Sequence, residues 1–265
     1  MDGHEDLIAA FSASCRVDAK GARGSCTIIY SKDDETFALT NFHVVANNIK
    51  YGTAWDPLLQ TDKKTELRDV SQILFPRINK NNDIIGYATV DADIVMYHKE
   101  QDIALLKFRD ETVYPVIKWY PRDDVKKIPI LSDVACIGAA LGQKPIVTEG
   151  LLNGKQIEID NYEYWLSGAQ SIFGNSGGGL FILKDDKWCF LGIPSRIAVQ
   201  PMGFTAQAIT HMGYFIPLHR IYDWLEDNCY QFLYDDTFTS EQCTTMREGK
   251  AKTELVKLLA KKRHE

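Results

Sequence analysis

The chain has 265 residues, of which 45% are hydrophobic and 25% charged, and its formal net charge is -6. This acidic balance argues against a surface that neutralises nucleic-acid phosphates, so no nucleic-acid partner is expected. No apolar stretch reaches the roughly 18 residues that predict a membrane-spanning helix, and no membrane span is expected.

The N-terminal segment and the cysteines both favour a cytoplasmic location. The first residues, MDGHEDLIAAFSAS, place acids before a short apolar stretch, whereas a secretory signal starts with basic residues and has a longer apolar core. The six cysteines form no C-x-x-C pair and no Cys/His cluster, so no metal site is predicted. Cys26, Cys136 and Cys189 lie in apolar runs, which indicates buried, reduced thiols in a reducing compartment.

Short runs rich in Ile, Val, Phe, Tyr and Thr recur along the chain, with turn residues between them. They are SCTIIYS, TFALTNF, DIVMYH, IALLKF, VACIGAA, YEYWLSG, GLFILK, KWCFLGI and GYFIPL. Such short runs, without long helical patterns between them, predict an all-β barrel or sandwich. Segments 31–36 and 183–188 are predicted hairpin tips. The polar segment 118–129, which contains two prolines, is a candidate link between two halves.

Two other regions depart from the strand pattern. The strongly charged region 47–92 is less regular and predicts an enlarged loop or an extra hairpin on the surface. After residue 217 the apolar residues recur at three- and four-residue spacing, which predicts an amphipathic helix. The positions that define this spacing are Leu218, Ile221, Tyr222, Leu225 and Cys229.

The C-terminal part of the chain contains a charge switch. Residues 222–242 hold six acids and no Lys or Arg, whereas residues 247–265 hold seven Lys or Arg and three acids. The basic segment also carries an apolar stripe, formed by Leu255, Val256, Leu258 and Leu259. Two interpretations stay open: a helix packed on its own domain, or a basic amphipathic helix that binds a partner protein or an anionic surface.

The stretch IFGNSGGGLF, residues 172–181, surrounds one serine with four glycines. Glycine loses more backbone freedom on folding than any other residue, so this density needs a reason. The stretch predicts either a hairpin turn with unusual dihedrals or a close approach of another molecule to Ser176. For chemistry, a serine needs a base, a group that orients the base, and donors for an oxyanion.

A histidine is the usual base, and the chain offers six: His4, His43, His98, His211, His219 and His264. The first and last lie in the terminal segments, His219 falls on the predicted helix, and His211 lies in a loop. His43 differs because ALTNFHVVANN indicates a strand that ends in a small turn at the histidine. A hydrogen-bonded histidine at a strand end is the structural alternative.

The orienting carboxylate has one leading candidate and two rivals. Asp102 immediately precedes the apolar run of KEQDIALLKF and can therefore lie beside a barrel core. An aspartate that caps the entry to a strand is the structural alternative. Asp91 and Asp93 are rivals on proximity alone.

These three residues follow the order His43, Asp102, Ser176, which is the order of chymotrypsin-type peptidases rather than that of subtilisin or of α/β-hydrolases. The stretches LTNFHVV, DIALLKF, GNSGGGLF and GYFIPLHRI resemble the chymotrypsin clan of serine peptidases, especially its bacterial Do-like (high-temperature-requirement) branch. VACIGAALGQKPIVTEGLLNG (134–154) resembles a glycine-bearing hairpin of that branch's second barrel. The resemblance covers about residues 10 to 230.

The resemblance implies a fold of two six-stranded antiparallel β-barrels, followed here by a C-terminal helix and a short helical tail. The implied domains are 1–120, which carries the histidine and the aspartate, 121–232, which carries the serine, and the charged tail 233–265. It further implies that His43, Asp102 and Ser176 form a catalytic triad in the cleft between the barrels. The backbone N–H groups of Gly174, Asn175 and Ser176 are the implied oxyanion donors, and no metal or organic cofactor is needed.

The chain departs from its relatives in two respects. It lacks the cysteines that secreted trypsin-like enzymes carry beside the histidine and around the serine, in agreement with an intracellular or Do-like form. No C-terminal PDZ domain of the kind typical of Do-like proteases is expected, so peptide-activated regulation and trimer assembly are not carried over from the resemblance.

The primary specificity pocket is the last feature that the resemblance implies. The segments expected to line it are 168–171, 194–197 and 213–215, with Gln170, Ser195, Arg196, Gly213 and Phe215 as the residues named within them. Because Gln170 falls near the pocket base, no acidic residue is expected to attract Lys or Arg. A small or medium, uncharged P1 side chain is predicted.

Two functions from different classes stay open. The first is a serine endopeptidase that acts on protein or peptide substrates. The second is a latent chymotrypsin-like scaffold that acts in binding or assembly. An esterase of α/β-hydrolase type is disfavoured by the order of the three residues.

Overall fold

Two closed barrels of six antiparallel strands each form the body of the molecule, which a computed structural model describes over residues 2–57, 60–81 and 83–262. The strands in these ranges are β1 (Ser14–Ala19), β2 (Ala22–Lys32), β3 (Glu35–Thr40), β4 (Ile49–Asp56), β5 (Thr61–Arg68), β6 (Ser71–Ile78), β7 (Ile84–His98), β8 (Ile103–Arg109), β9 (Asp133–Gly138), β10 (Ile146–Ile159), β11 (Tyr162–Ser167), β12 (Gly179–Lys184), β13 (Lys187–Met202) and β14 (Thr205–Pro217). The α-helices there are α1 (Asp2–Ala13), α2 (Phe42–Val45), α3 (Leu218–Asp227) and α4 (Ser240–Lys262).

The strand order of each barrel confirms the predicted all-β, chymotrypsin-like fold. The first barrel closes in the order β1-β2-β3-β8-β7-β6, and the second in the order β10-β11-β14-β13-β12-β9. Their strands bury the β-branched, leucine and aromatic side chains that suit a packed sheet surface. The large fully buried side chains include Ile28, Leu39, Ile73 and Leu105 in the first barrel and Trp165, Phe181, Phe190 and Phe215 in the second.

Both predicted hairpin tips are confirmed. Asp33 and Asp34 join β2 to β3 with positive φ angles, and Asp185 and Asp186 join β12 to β13 in the same way. Two-residue turns with positive φ match the twist of the strands that they connect. The segment 110–132 connects the two barrels and contains a short 3-10 helix, Arg122–Lys127.

The charged region 47–92 is only in part an addition to the barrel. Strands β4 and β5 form a separate two-stranded sheet, which is the predicted extra hairpin. Residues 71–92, however, belong to β6 and β7 of the first barrel, so their assignment to surface elaboration was wrong. Their outward-facing positions carry many polar side chains, and this polarity hid the strand pattern.

A hydrogen-bonded neck holds the β4–β5 hairpin at its base. The N–H of Asp69 donates to the carbonyl of Asn48 at 2.8 Å. The buried Asn48 amide donates to Val70 O at 2.8 Å and to Ser71 Oγ at 3.0 Å, and it accepts the Lys20 N–H at 2.9 Å. Tyr51, by contrast, is 64% exposed on the hairpin itself.

The helices lie outside the barrels. Helix α1, which the sequence analysis did not predict, packs against strands of both barrels and buries Ala10 and Ala13. Helix α3 lies where the amphipathic spacing predicted a helix, and it buries Leu218, Ile221 and Leu225. None of the helices in the described ranges has the length and apolar character needed to cross a lipid bilayer.

Helix α4 packs on the rest of the molecule in its first half and exposes apolar side chains in its second half. In its first half, Cys243 is buried, and the guanidinium of Arg247 lies 4.2 Å from the ring centroid of Tyr230 and donates to Cys229 O at 2.6 Å. In its second half, the apolar side chains of Val256 and Leu258 are exposed. His264, one of the six histidines, lies outside the described residues.

Candidate active site

His43 lies in a single helical turn that follows the end of β3. Within this turn, α2, Val44 and Val45 are buried and anchor the backbone, while the side chain of His43 is 49% exposed. The ring of the preceding Phe42 packs on Tyr97 with a centroid distance of 5.0 Å. The turn therefore holds the backbone firmly and leaves the imidazole at the surface of the cleft.

Asp102 lies immediately before β8 in a left-handed backbone conformation, with φ of 58°. Asn41 stabilises this turn because its side-chain amide donates to the carbonyl of Asp102 at 2.8 Å. The carboxylate accepts the His43 N–H at Oδ1 (3.0 Å), and His43 Nδ1 lies 2.9 Å from Oδ2. Because Nδ1 faces the carboxylate, it carries the proton, and the lone pair of Nε2 is left for the cleft.

The rival carboxylates lie elsewhere on β7. Asp91 is 3.4 Å from the side-chain amide of Gln72, and Asp93 lies opposite Lys107 in the β7–β8 register. Neither is among the partners of His43. Ser195 completes the surroundings of Asp102, because its hydroxyl donates to Oδ2 at 2.6 Å.

Ser176 belongs to residues 172–178, which we call the serine turn, between β11 and β12. Ser176 and His43 line the same cleft, which has a volume of about 410 Å³. The other lining residues are Ser171, Ile172, Phe173, Pro194, Ser195, Arg196, Ile197 and Val199. The first barrel thus supplies the histidine, and the second supplies the serine.

Four successive carbonyls of the serine turn are tied by hydrogen bonds. Phe173 O accepts from the Leu141 N–H at 2.6 Å, and Asn175 O accepts from the Gly178 N–H at 2.9 Å. The other two carbonyls, of Gly174 and Ser176, accept from the first barrel at 2.7 and 2.8 Å. The N–H groups of Gly174 and Ser176 belong to the same peptide planes as the carbonyls of Phe173 and Asn175. Because a trans peptide directs its C=O and N–H to opposite sides, these two N–H groups point away from the partners of those carbonyls. Within the described ranges neither N–H has an acceptor.

The N–H of Asn175 was predicted to be a third oxyanion donor beside those of Gly174 and Ser176, but the structure gives it another partner. That N–H donates to Ile172 O at 3.1 Å and is therefore engaged within the turn. The Asn175 side chain is buried and lies 3.5 Å from Cys136 Sγ. Burial raises the pKa of the Cys136 thiol to about 11, so this sulfur stays protonated and is no rival nucleophile.

Two of the glycines are required by geometry. Gly174 has φ of 100°, and a Cβ there would lie 2.4 Å from Ala139 O. Gly177 has φ of 86°, and a Cβ there would lie 2.1 Å from Ser25 O. Only glycine combines this backbone conformation with such close contacts.

The residues predicted to line the specificity pocket divide into two groups. Ser195 and Arg196 line the cleft, whereas Gln170, Gly213 and Phe215 do not. Gln170 is exposed and its carbonyl accepts from Thr148 Oγ1 at 2.6 Å, while Phe215 is buried against Trp165. Gly213 is paired with Ser167 between two strands.

The apolar wall of the cleft was predicted only in part. Ile197 lies in the predicted segment 194–197, whereas Ile172 and Phe173, which begin the serine turn, and Val199, which follows on the strand of Ser195, were missed. Their closeness to Ser176 and Ser195 in the sequence was the available signal. Arg196, whose role the sequence left open, forms an ion pair with Asp160 at 2.7 Å and stacks over Tyr164.

The remaining described histidines have other partners or positions. His219 is mostly buried, with Nε2 3.2 Å from Glu163 Oε2, and burial lowers its pKa below the usual 6.5. His98 Nδ1 lies 3.4 Å from Glu100, and His211 is exposed. In the described part of the chain, no group of three or more His, Cys, Asp or Glu side chains is placed to hold a metal ion.

The chain resembles known proteins in sequence and in fold. The sequence profile of the family described as "Trypsin-like peptidase domain" matches residues 24–193. HtrA-type protease AlgW with tripeptide matches the structure with a TM-score of 0.61 and 18% identity over 88% of this chain, and a variant of AlgW with tripeptide matches with 0.60 and 18% over 87%. This chain spans 64% of the length of each of those two chains. No curated protein sequence matches it.

Proposed function

Because the chain belongs to the trypsin-like peptidase domain family, we propose that it is a serine endopeptidase whose triad is His43, Asp102 and Ser176. One observation carries the proposal. The imidazole of His43 is held by Asp102 through Nδ1 and lines the same cleft as Ser176, beside two N–H groups that have no acceptor in the described part of the chain. This is the set of groups that acyl transfer to a serine requires.

In the acylation half, Ser176 Oγ attacks the carbonyl carbon of the scissile peptide bond. The hydroxyl proton passes to His43 Nε2, and the carbonyl π electrons move onto oxygen. When the tetrahedral intermediate collapses, His43 gives this proton to the leaving amine, and the C–N bond breaks. Asp102 stabilises the imidazolium that exists between the two transfers.

The N–H groups of Gly174 and Ser176 are the donors for the oxyanion of that intermediate. Each such donor contributes roughly 3–4 kcal/mol to the transition state in a comparable site. In the second half-reaction, a water molecule attacks the acyl-enzyme, and His43 again accepts the proton. Ser176 regains its proton when the carboxylic acid product leaves.

The cleft supports a preference for an uncharged P1 side chain of small or medium size. Ile172, Ile197 and Val199 give the cleft an apolar surface. The positively charged side chain that lines the cleft, Arg196, is paired with Asp160. None of the described residues that line the cleft is acidic, so its lining offers no carboxylate to attract Lys or Arg. Dominant cleavage of a peptide library after Arg or Lys would contradict this preference.

Two proposals concern the surroundings of the enzyme. The six cysteines are free and buried, which supports a reducing compartment such as the cytoplasm. The exposed apolar side chains of the second half of α4 lie among lysines, which supports a partner protein that binds this half.

A fluorophosphonate probe tests the proposed chemistry, because it phosphonylates only a serine that a base activates. We expect stoichiometric labelling of the wild-type protein and none of Ser176→Ala, with peptide hydrolysis lost in parallel. An unlabelled wild-type protein would contradict the enzyme and favour the latent scaffold. Labelling that persists in Ser176→Ala would place the nucleophile elsewhere.

A further inference from the structure

Ser25 of β2 forms hydrogen bonds to the serine turn from the opposite barrel. Its side chain is fully buried, its hydroxyl donates to Gly174 O at 2.7 Å, and its N–H donates to Ser176 O at 2.8 Å. The hydroxyl also accepts the Ala139 N–H at 2.7 Å. We propose that Ser25 is a positioning residue that holds the two oxyanion donors of the proposed peptidase in register, an inference that rests on the proposed function.

The argument begins with the peptide planes of the serine turn. The donors at Gly174 and Ser176 belong to the planes whose carbonyls are those of Phe173 and Asn175, and hydrogen bonds within the second barrel fix both planes. Ser25 bonds to the plane that separates them through Gly174 O, and to the plane that follows through Ser176 O. The N–H of each of these two planes is engaged as well, that of Asn175 with Ile172 O and that of Gly177 with Pro194 O. Ser25 thus contributes, from the first barrel, one of the two hydrogen bonds that hold each plane.

These hydrogen bonds matter because the serine turn has a glycine, Gly174, at a position where φ is positive. Gly174 has φ of 100°, a conformation from which a glycine peptide can rotate without a side-chain barrier. Rotation of the plane after Gly174 changes the angle between the two donor N–H groups. An oxyanion site works only when its donors already point at one place before charge develops. The hydroxyl of Ser25 opposes this rotation directly.

Ser25 also contacts the chain that leads to His43. Its carbonyl accepts from Thr40 Oγ1 at 2.7 Å, and Thr40 ends the strand that precedes the histidine turn. The same carbonyl would lie 2.1 Å from a Cβ at Gly177. One residue therefore touches the strand before the base and the backbone on both sides of the nucleophile. Removal of the hydroxyl alone separates its role at the oxyanion donors from these backbone contacts.

The test compares Ser25→Ala with Ser31→Ala. Ser31 lies on the same strand, is buried, accepts the Tyr114 N–H at 3.0 Å and is hydrogen-bonded to Thr36 Oγ1 at 2.9 Å. Both variants lose a buried hydroxyl that accepts a backbone N–H, but Ser31 has no contact with the serine turn. We expect Ser25→Ala to lower kcat at least about tenfold with KM within about twofold, and Ser31→Ala to change neither by more than about twofold.

A second readout separates positioning from loss of folded protein. The probe is a peptide aldehyde with the sequence of a site that the wild type cleaves. Ser176 Oγ adds to the aldehyde carbon, and the former carbonyl oxygen of this tetrahedral adduct lies at the two N–H donors. We expect Ser25→Ala to weaken this adduct by about the factor lost in kcat. Affinity for the uncleaved peptide, compared between Ser176→Ala and the double variant Ser25→Ala/Ser176→Ala, should stay within about twofold.

Ser25→Cys is a second variant, which keeps a weak S–H donor. Its kcat should lie between those of Ser25→Ala and wild type, and it replaces the alanine variant if that variant does not fold.

The outcomes distinguish the two proposals. Wild-type protein that reacts with the aldehyde while Ser25→Ala reacts equally well would overturn the role of Ser25 and leave the peptidase intact. Equal weakening of the aldehyde adduct and of uncleaved-peptide binding would overturn it as well, since that pattern reports general damage. Wild-type protein that reacts with neither the aldehyde nor the fluorophosphonate would contradict the peptidase, and with it the role of Ser25.

Discussion

The carboxylate of Asp102 has its hydrogen-bond donors in place, whereas two N–H groups of the serine turn have no acceptor among the described residues. The His43 N–H and the His43 ring of the first barrel and the Ser195 hydroxyl of the second barrel surround the carboxylate. In the serine turn the N–H groups of Gly174 and Ser176 have no acceptor among the described residues.

The difference follows from when each charge is present. A carboxylate is charged at all times near neutral pH, and burying it without donors would be costly. An oxyanion exists only during the reaction, so its donors must wait without partners. The contrast therefore predicts that removing donors from Asp102 and disturbing the serine turn have different kinetic signatures and different sizes.

The largest effect is expected from Asp102→Asn. An amide in this position leaves the shape of the site unchanged but donates to Nδ1, which forces the proton onto Nε2, the wrong nitrogen for a base. We expect kcat to fall by roughly 10⁴ with little change in KM. Peptide hydrolysis and fluorophosphonate labelling rates measure this loss. A variant that retains a tenth of wild-type kcat would contradict the proposed role of Asp102.

A smaller effect is expected from Gly174→Ala. The new Cβ would collide with Ala139 O, and relief of that contact rotates a donor N–H out of place. We expect kcat to fall by about 10²-fold while uncleaved peptide still binds. Gly203→Ala is the matched control, because Gly203 also has a positive φ of 61° but a Cβ there meets nothing within 4 Å. Equal losses in both variants would show that backbone strain alone, and not the donor, is responsible.

Ser195→Ala tests the saturated side of the comparison more gently. It removes one hydrogen bond from Asp102, and the two contacts from His43 remain. A hydrogen bond to a charged group contributes about 1.5 kcal/mol or more, so kcat should fall roughly tenfold. Steady-state kinetics measure the change, with Ser31→Ala as the reference for a lost buried hydroxyl. An unchanged kcat would mean that the two contacts from His43 suffice.

The smallest effect concerns stability and lies outside the cleft, at His219. Burial lowers its pKa below 6.5, so the unfolded chain binds this proton more readily than the folded chain. The free energy of unfolding should therefore fall as the pH drops through 6.5, and His219→Gln should reduce that fall. Urea unfolding at pH 7.5 and 5.5 measures it. The exposed His211→Gln is the control, and the same pH dependence in wild type and His219→Gln would refute the assignment.

The sequence predicts well what is local. The alternation of short apolar runs with turn residues predicted barrel strands, and the aspartate pairs predicted two hairpin tips that the structure has. The candidates His43, Asp102 and Ser176 were identified from three short stretches that follow the order of chymotrypsin-type peptidases. The structure brings the histidine and the serine to one cleft and the aspartate to the histidine.

What the sequence missed depends on contacts between distant residues. The hydroxyls of Ser25 and Ser195 reach partners 149 and 93 residues away, and nothing near either serine in the chain marks this role. Gln170 and Phe215 were expected near the pocket, but Gln170 is exposed and Phe215 packs in β14 against the distant Trp165, so neither lines the cleft. Polarity on the outer faces of β6 and β7 concealed two barrel strands.

The β4–β5 hairpin is hydrogen-bonded to the residue that supports the histidine turn. Its Tyr51 hydroxyl lies 2.7 Å from the hydroxyl of Tyr97 in β7, and the Tyr97 hydroxyl donates to Glu66 of the hairpin at 2.5 Å. The Tyr97 ring packs on Phe42, the residue before His43. A displacement of the hairpin therefore reaches the backbone that carries the imidazole, and we expect a ligand bound to the hairpin to change the reaction rate without entering the cleft.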